Sequence, residues 1–578
     1  MKKFVKKSFF LFAIFFTLIA FSTPVFAQNH ISIPLTDQVY QILEYAFLQG
    51  YIQMLPGEKP YSQHFVIAKL DEIINNENIK DEERAIFEQT KERIKPKEKL
   101  AWYELGAYTN RYNDDVKLPV QAGMSCFTSF AINANNPIPS LDLQIDAYFM
   151  GDITDYISYK IDGGGILMKY SLSAYAPYEF DKTWDGWQST LGAWYEYEAI
   201  SERLAGGLVL DPELSFAAFD DKVSVKVSRT KRDFGYGSSS LVISKDAQPF
   251  LAMETHLNPV SWFETNFIVG TLEYESAGDL KKAAANFQNM YSLITGQFNI
   301  TDYFYFGALS SGVWMKRLEL GYMYPFLLPF SYQNQIGDFD NVQMGFYFGS
   351  RIPKITHLYF SLFCDEWNLT SKPFLHLDRN MYTFQVGAKT PVPIWLSSLT
   401  TQYTKIEPYM YTHPLTENPW YDQAMDTTYV NHGECIGYYL PPNSDEFLIS
   451  FESTPLWFLH TNIGYKLVRH GATSGSGKVD GSSLYDSLDY SQPLEGIDST
   501  SVYWKNFLHD GVYEWINYVT LAASLNCRKW NVPIIVNFAY TFSYTTHSYD
   551  NDGKLAFFSD DEYSNVSGNY FSVSVKVW

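Results

Sequence analysis

The stretch Leu141-Asp-Leu-Gln-Ile-Asp-Ala-Tyr-Phe149 decides the fold, because apolar and polar residues alternate through it. Leucine, isoleucine, alanine and phenylalanine fill the odd positions, while aspartate, glutamine and tyrosine fill the even ones. A period of two predicts a β-strand with one apolar and one polar face. Gly151-Asp152 then turns the chain into a second alternating stretch, so this region is predicted to be a β-hairpin.

The connections between alternating stretches indicate which kind of β-protein this is. Alternation recurs at 223–228 and 457–467, and by itself it fits a soluble sandwich as well as a membrane barrel. Compact turns rich in Pro and Trp occur at 258–262, 390–395 and 454–457. Residues 405–446 and 469–512 are instead long polar stretches. Short turns on one rim and long loops on the other are typical of outer-membrane barrels.

Composition favours the same fold. Aromatic residues make up 17% of the chain and charged residues only 19%, a mixture suited to strands that meet lipid headgroups. No apolar run after Ala27 reaches the roughly 18 residues of a membrane helix. About 480 residues, at about 25 to 27 per strand and connection, give roughly 16 to 20 strands. We therefore predict an all-β antiparallel transmembrane barrel of about 18 strands at residues 100–578, in contact with outer-membrane lipid.

The N-terminal residues have a different character. Residues 1–27 have the form of a secretory signal peptide, with four lysines, an apolar run and a cleavage point at Ala27. Its removal takes the formal net charge from −21 to −25, which argues against nucleic acid as a partner. Residues 28–99 are predicted to form a periplasmic segment of three helices. Their apolar positions have helical spacing, with Gly50 ending the first helix, Ser62 capping the second and Asp81 opening the third. About 60 residues are marginal as an independent domain, so we expect them to pack against the barrel mouth.

The chain carries no motif for catalysis or metal binding. Its four cysteines, Cys126, Cys364, Cys435 and Cys527, show no CxxC or Cys/His spacing, so no metal and no cofactor are predicted. One or two disulfides and unpaired strand cysteines are both compatible with export. No GxSxG and no HExxH occurs, and the sequence does not favour an enzyme.

The last strand, Tyr570-Phe-Ser-Val-Ser-Val-Lys-Val-Trp578, ends on an aromatic residue, as barrels recognised by a barrel assembly machinery commonly do. We therefore expect that machinery as a partner. Trp578, however, lies in phase with the polar residues of the strand. A local bulge or a variant signal would account for this.

Several segments resemble the Wzi family of outer-membrane capsule-assembly proteins. They are Ser228 to Phe250, Gly337 to Asn341, Leu358 to Glu366, Phe384 to Gly387, Tyr403 to Pro414 and Gly437 to Asp445, in an ordered match over roughly residues 35 to 470. The resemblance implies a barrel of about 18 strands with a periplasmic helical bundle. It also implies a lectin-like protein that holds capsule or exopolysaccharide on the cell, so that surface polysaccharide is the expected partner.

Sugar binding needs aromatic rings for stacking and carboxylates or amides for hydrogen bonds to hydroxyls. The two long polar loops supply both, and the candidate glycan-binding residues are Tyr409, Tyr411, Trp420, Tyr421, Asp422, Tyr485, Asp486 and Trp504. The alternative is a solvated loop whose aromatic residues pack on one another. A polar network in the lumen, with ligand contact as its alternative role, is expected from Arg229, Arg232, Asp233, Asp338 and Asp340. A porin or solute channel is the second functional hypothesis, since a barrel of this circumference leaves room for a water-filled path.

Overall fold

Eighteen long antiparallel strands form a closed barrel in the computed structural model of the chain. Two further short stretches, Leu105–Asn110 and Tyr195–Glu196, pair with its strands at the margins. The strand count and the antiparallel closure confirm the predicted fold class. The residues that the structure describes are 30–95, 105–110, 117–133, 136–169, 195–196, 204–272, 289–315, 317–337, 340–366, 380–413, 416–418, 423–425, 427–431, 434–471, 479–484, 486, 507–508, 513–548 and 566–577.

The barrel strands follow one another around the ring in chain order, and the last pairs with the first. Their bounds are β1 Lys117–Asn133, β2 Asn136–Thr154, β3 Ile157–Lys169, β4 Leu204–Ala218, β5 Val223–Thr230, β6 Phe250–Val260, β7 Phe263–Thr271, β8 Asn289–Thr301 and β9 Phe304–Met315. The second half comprises β10 Asn341–Ile352, β11 Thr356–Glu366, β12 Met381–Val392, β13 Ser397–Ile406, β14 Ser444–Leu456, β15 Leu459–Gly471, β16 Tyr513–Asn526, β17 Ile534–Ser548 and β18 Val566–Val577.

The apolar face of the strands points outward and the polar face points into the lumen. On β2, Ile145 is 47% and Phe149 50% exposed, whereas Asp146 and Tyr148, which face the lumen, are each 7% exposed. A soluble sandwich buries its apolar face, so this arrangement excludes that alternative. Outward apolar residues continue around the ring, among them Ile161, Leu214, Val227, Leu251, Phe306, Leu358, Val386, Ile449, Ile463, Leu521, Phe538 and Phe571. The apolar band places the protein in the bacterial outer membrane.

The two rims differ as the sequence predicts. Eight connections of two to seven residues lie on one rim, at 155–156, 219–222, 261–262, 302–303, 353–355, 393–396, 457–458 and 527–533. We call it the short-turn rim. The longer connections start and end on the opposite rim, the long-loop rim, where the two-residue connection between β1 and β2 also starts and ends.

Three helices, α1 Val39–Gln49, α2 Gln63–Ile74 and α3 Asp81–Ile94, form an N-terminal bundle. Gly50 ends α1 in the left-handed conformation (φ 79°), and its N–H donates to Ala46 and Phe47 oxygens. The Ser62 hydroxyl caps α2 by accepting from Phe65 N at 3.0 Å. The helices bury a common apolar core against the β12–β13 turn, where Leu396 joins them.

The bundle, which we call the plug, occupies the short-turn rim. Arg351 of β10 donates from Nη1 to the carbonyl oxygens of Phe47 (3.0 Å) and Ile52 (2.5 Å). Gln41 Nε2 donates to Leu396 O at 2.8 Å, and Lys354 N donates to Leu48 O at 2.8 Å. These contacts reach the end of β10, the β10–β11 turn and the β12–β13 turn, so they fix the plug to the mouth of the barrel.

The β9–β10 connection folds back over the outside of the barrel. Its helix α4, Pro329–Ile336, and Tyr322 cover the outward face of Trp314, and Phe330 N donates to Ser310 Oγ at 3.2 Å. We call residues 317–337 the flap. Its other side is exposed and apolar, with Leu318, Leu320, Tyr324, Phe326, Leu328 and Phe330 all at least 43% exposed.

The structure bears on two alternatives that the sequence leaves open, the pairing of the cysteines and the phase of the last strand. All four cysteines are free, which excludes the disulfides. β18 pairs with β17 and β1 without a register shift over Val566–Val577, so the described strand has no bulge; Trp578 lies outside the described residues.

Among the helices that the structure describes, none combines the length and the apolar character that a membrane crossing requires. The proposed signal peptide also lies outside these residues.

Candidate functional site

The β5–β6 connection, residues 231–249, enters the lumen from the long-loop rim. We call it the lumen loop. Its residues Asp233–Phe234 pair as a short antiparallel ladder with Glu58–Lys59 of the N-terminal segment, which comes from the opposite rim. Gly237 lies so close to the wall that a Cβ there would be 1.8 Å from Gln385 Oε1. The two segments therefore meet inside the barrel and fill part of its cross-section.

Buried arginines hold the two ends of the lumen loop. Arg232 Nε donates to Glu254 Oε1 at 2.6 Å, while its Nη atoms donate to the carbonyl oxygens of Ser228 and Phe250 at 3.1 and 3.0 Å. Arg229 Nη1 pairs with Asp211 of β4 at 2.6 Å. Because one guanidinium satisfies carbonyls on both β5 and β6, it fixes where the loop leaves and rejoins the wall.

Asp233 holds the lumen loop in its own turn. Its Oδ1 accepts from the backbone N–H groups of Ser240 (3.1 Å) and Lys245 (3.3 Å), and Lys59 Nζ lies 3.6 Å from its Oδ2. Asp340 is placed differently from the prediction. It accepts from Arg317 at 2.9 Å and from Gln333 through its carbonyl, so it supports the base of the flap and not a lumen network. Asp338 lies outside the described residues.

The β13–β14 connection covers the lumen loop at the long-loop rim. Tyr429 OH donates to Val242 O at 3.0 Å, Tyr411 OH donates to Leu241 O at 2.7 Å, and Ser244 N donates to Ile436 O at 2.9 Å. We call residues 407–413, 427–431 and 434–443 the cap. Cap and lumen loop share one apolar core with inward residues of the wall. The lumen is therefore occupied from both rims.

The structure places Tyr409 and Tyr411 inside the cap and not on its surface. Both are fully buried, with φ values of 64° and 70°, and Tyr409 OH donates to Val479 O at 2.8 Å. Left-handed backbone at these two residues turns their rings into the core, so neither ring is available to stack on a sugar. For this pair the alternative of mutual packing holds, since Tyr411 stacks on Tyr429 at 5.6 Å.

Asp486 lies in the β15–β16 connection, of which residues 479–484, 486 and 507–508 are described. Its Oδ2 accepts from Ser483 N at 3.2 Å, and burial raises the pKa of the Asp486 carboxyl. The other candidate glycan-binding residues, Trp420, Tyr421, Asp422, Tyr485 and Trp504, lie outside the described residues. They remain predictions.

A polar cavity of about 610 Å³ runs between the plug, the lumen loop and the wall formed by β12 to β17. Tyrosine rings and charged groups line it together: Tyr40, Tyr61, Tyr236, Tyr439, Glu44, Lys59, Lys389, Glu452, His460 and Lys466. Planar rings beside carboxylates, amides and amines form a surface that hydrogen-bonds polyhydroxylated or charged solutes.

Ion pairs across the cavity join the plug to the wall. Glu44 of α1 pairs with Lys389 of β12. Burial acts to raise the pKa of Glu44, but Lys389 and Lys59 outweigh it and hold that pKa below its ordinary value. On the wall, Lys466 Nζ lies 4.8 Å from the centre of the Tyr439 ring. The cavity thus lies between charged groups of the plug and of the wall.

The cavity residues on β15 were visible in the sequence only as the polar half of an alternating strand. His460, Asn462 and Lys466 are the even positions of the stretch from Trp457 to Leu467. Lumen orientation was therefore predictable for them. Their meeting with Glu44 and Tyr439 was not, because those residues come from the plug and the cap.

No protein-family model matches the chain, and no curated protein matches it. Among solved structures it is similar to Wzi, an outer-membrane protein involved in group 1 capsule assembly in Escherichia coli and described as a carbohydrate-binding β-barrel. The TM-score is 0.54 at 11% identity, covering 95% of this chain and 99% of that one. The chain has the fold of Wzi.

That alignment covers nearly the whole chain, so the plug is aligned with Wzi as well as the barrel. Two outer-membrane proteins align over a smaller part. Acinetobacter baumannii OccAB2 gives a TM-score of 0.41 at 7% identity over 79% of this chain and 98% of its own. Pseudomonas aeruginosa OprD gives 0.38 at 9% identity over 79% of this chain and 94% of its own. The predicted Wzi-like fold is confirmed.

Proposed function

We propose that this protein binds surface polysaccharide, capsule or exopolysaccharide, and anchors it at the outside of the outer membrane. The occupied lumen carries the proposal: the plug, the lumen loop and the cap occupy much of the interior that a solute channel needs. The Wzi fold supports it, since Wzi is described as carbohydrate-binding. In this proposal the short-turn rim with the plug faces the periplasm, and the long-loop rim faces the polysaccharide.

Glycan binding is assigned to the loops beyond the cap. Trp420, Tyr421 and Asp422 follow the cap residues 407–413 in sequence, and Asp486 lies in the β15–β16 connection. The cap core that adjoins these residues in sequence is fixed by buried tyrosine hydrogen bonds, which gives loops attached to it a rigid base. The pairing of ring faces with carboxylates is the chemistry that sugar hydroxyls and C–H faces require.

The test is polysaccharide binding by the purified barrel on an array that includes polysaccharide from the source organism. Trp420→Ala and Tyr421→Ala are each expected to weaken binding about two- to tenfold, the effect of losing one aromatic stacking contact of about 0.5–1.5 kcal/mol. The matched control is Trp395→Ala, because Trp395 is 64% exposed on the short-turn rim. Unchanged binding in both loop variants would refute the assignment of the site. Absence of binding by the wild-type barrel would refute the function.

A solute channel is the second candidate, and the polar cavity of about 610 Å³ favours it. Single-channel recording in planar bilayers separates the two functions. The polysaccharide-binding function predicts little or no steady conductance, because the cap closes one rim and the plug the other. A steady open conductance of the intact protein would favour the channel.

A further inference from the structure

Three metal-ligating side chains from separate parts of the chain meet at the short-turn rim. His30 lies in the extended N-terminal segment, His64 in the first turn of α2, and Asp221 in the β4–β5 turn. Their ligand atoms all lie within 4.8 Å of one another. His64 Nδ1 is 2.7 Å from Asp221 Oδ2, and His30 Nδ1 is 3.4 Å from Asp221 Oδ1.

The hydrogen bond of His30 fixes which of its nitrogens can bind a cation. Its Nε2 lies 3.1 Å from the carbonyl oxygen of Asp155, and a carbonyl only accepts, so Nε2 carries the hydrogen. In the neutral ring Nδ1 then bears a lone pair. The side chain of His30 is 2% exposed, and neither His30 Nδ1 nor Asp221 Oδ1 has a hydrogen-bond partner. Two buried polar atoms therefore lie 3.4 Å apart without a hydrogen bond that satisfies either of them.

The turn that presents Asp221 has an unusual backbone. Phe219, Asp220 and Asp221 have φ values of 58°, 57° and 60°, which are left-handed at three consecutive residues, none of them glycine. Each such residue costs roughly 1–2 kcal/mol relative to right-handed backbone. A strained conformation of this kind persists where the surrounding structure requires it, and here it aims the carboxylate at the two imidazoles.

We propose that His30, His64 and Asp221 form a binding site for a divalent transition metal ion, with Zn²⁺ as the preferred ion. Two imidazole nitrogens and one carboxylate are a common set of three zinc ligands, with the fourth position left to water. A cavity of about 130 Å³, lined by His30, Ser62 and Asp221, adjoins the cluster and has room for that water. The Asp155 carbonyl orients His30 as an outer-shell partner orients a metal-bound histidine.

The site would join three structural units: the N-terminal segment, the plug and the barrel wall. His30 also donates its backbone N–H to Ser158 Oγ of β3 at 2.9 Å, and Ser32 donates to Glu213 of β4, so the N-terminal segment already follows the wall. The metal ion would add a bond between that segment and α2. This inference is independent of the proposed polysaccharide function.

The experiment is a Zn²⁺ titration, by calorimetry, of the folded mature barrel in detergent, stripped with chelator and carrying no polyhistidine tag. One ion per chain is expected. His64→Gln and Asp221→Asn are expected to weaken binding more than the roughly 10- to 100-fold that outer-shell changes cost. Asparagine tolerates left-handed backbone better than other non-glycine residues, so Asp221→Asn preserves the turn. The matched control is His470→Gln on the opposite rim.

Two further measurements make the outcome decisive. The heat-modifiable electrophoretic mobility of each variant checks that the barrel is closed, and the visible absorption of bound Co²⁺ reports imidazole and carboxylate coordination. Wild-type binding no tighter than that of the two ligand variants would overturn the proposal. The cluster would then be held by the hydrogen bond between His64 Nδ1 and Asp221 Oδ2 alone. Tight binding that survives in both ligand variants would also overturn it.

Discussion

Replacing Arg351 by alanine is expected to release the plug while leaving the barrel closed. The Arg351 guanidinium extends from β10 into the plug, where it donates to the Phe47 and Ile52 oxygens and lies 4.6 Å from the Phe47 ring. It also donates to Asp302 O in the β8–β9 turn at 3.3 Å. The side chain thus donates to Ile52 O after the end of α1 and gives Phe47 O, which also accepts from Gly50 N, a second donor.

The magnitude follows from the two hydrogen bonds to the plug. Each bond from a charged donor contributes about 1.5–3 kcal/mol, so their loss costs about 3–6 kcal/mol. Water entering the space vacated by the side chain recovers part of this, which leaves a net loss of about 3 kcal/mol. At about 1.4 kcal/mol per factor of ten, the equilibrium for plug opening rises somewhat more than a hundredfold.

Hydrogen exchange followed by mass spectrometry measures this opening. Amides of α1 to α3 are expected to exchange about a hundredfold faster in Arg351→Ala, since they exchange through local opening, while those of β14 to β16 keep the wild-type rate. The control is Arg317→Ala, which removes another arginine at the flap on the opposite rim. Wild-type exchange rates in the plug of Arg351→Ala would refute the anchoring role.

Three further predictions concern the lumen loop, the plug and the cysteines. Gly237→Ala is expected to destabilise the lumen loop by about 1–3 kcal/mol, because the added Cβ would overpack against Gln385. Gly235→Ala is expected to be tolerated, because its added Cβ would meet nothing closer than 3.5 Å. Equal hydrogen-exchange rates in the lumen loops of the two variants would contradict this. Burial raises the pKa of Asp37, but its pair with Arg93 outweighs burial and holds it below the ordinary value of 3.8. The stability that this pair gives the plug is therefore complete above about pH 4 and is lost as the pH falls through the depressed pKa. Asp37→Asn is expected to lower the stability of the plug by about 1–3 kcal/mol at pH 7. This difference in stability between variant and wild type is expected to shrink at low pH. A difference that does not change with pH would speak against the ion pair. Thiol titration of the unfolded protein without reductant is expected to find all four cysteines free, and fewer thiols would reveal a disulfide.

The elements that depend on local sequence were predictable. The period of two in Leu141 to Phe149 identified both faces of a strand, and the closed ring followed from the need to satisfy its hydrogen bonds in lipid. The helix ends at Gly50 and Ser62 were predictable because each depends on one residue and its immediate neighbours. Each of these signals depends on residues that are close together in the chain, and such local patterns can be read from a single sequence.

The contents of the lumen were not predictable in the same way. Tyr411 bonds to Leu241 across 170 residues, and His64 meets Asp221 across 157. A polar loop rich in tyrosine indicates an exposed surface, and only the left-handed backbone at Tyr409 and Tyr411 turns those rings inward. The prediction that Asp340 joins a lumen network was wrong, because Asp340 supports the flap. The flap folds over the outside of the barrel, and such folding leaves no periodic signal in the sequence.

The ladder between Glu58–Lys59 and Asp233–Phe234 has a mechanical consequence. A force that pulls outward on the cap passes to the lumen loop through the bond from Ser244 to Ile436, and then through the ladder to the N-terminal segment. From there it reaches β10 through Arg351. If the proposed polysaccharide pulls on the cap, its tension would thus be carried through the lumen to the short-turn rim of the wall, and the hinges of a single surface loop would not have to resist it alone.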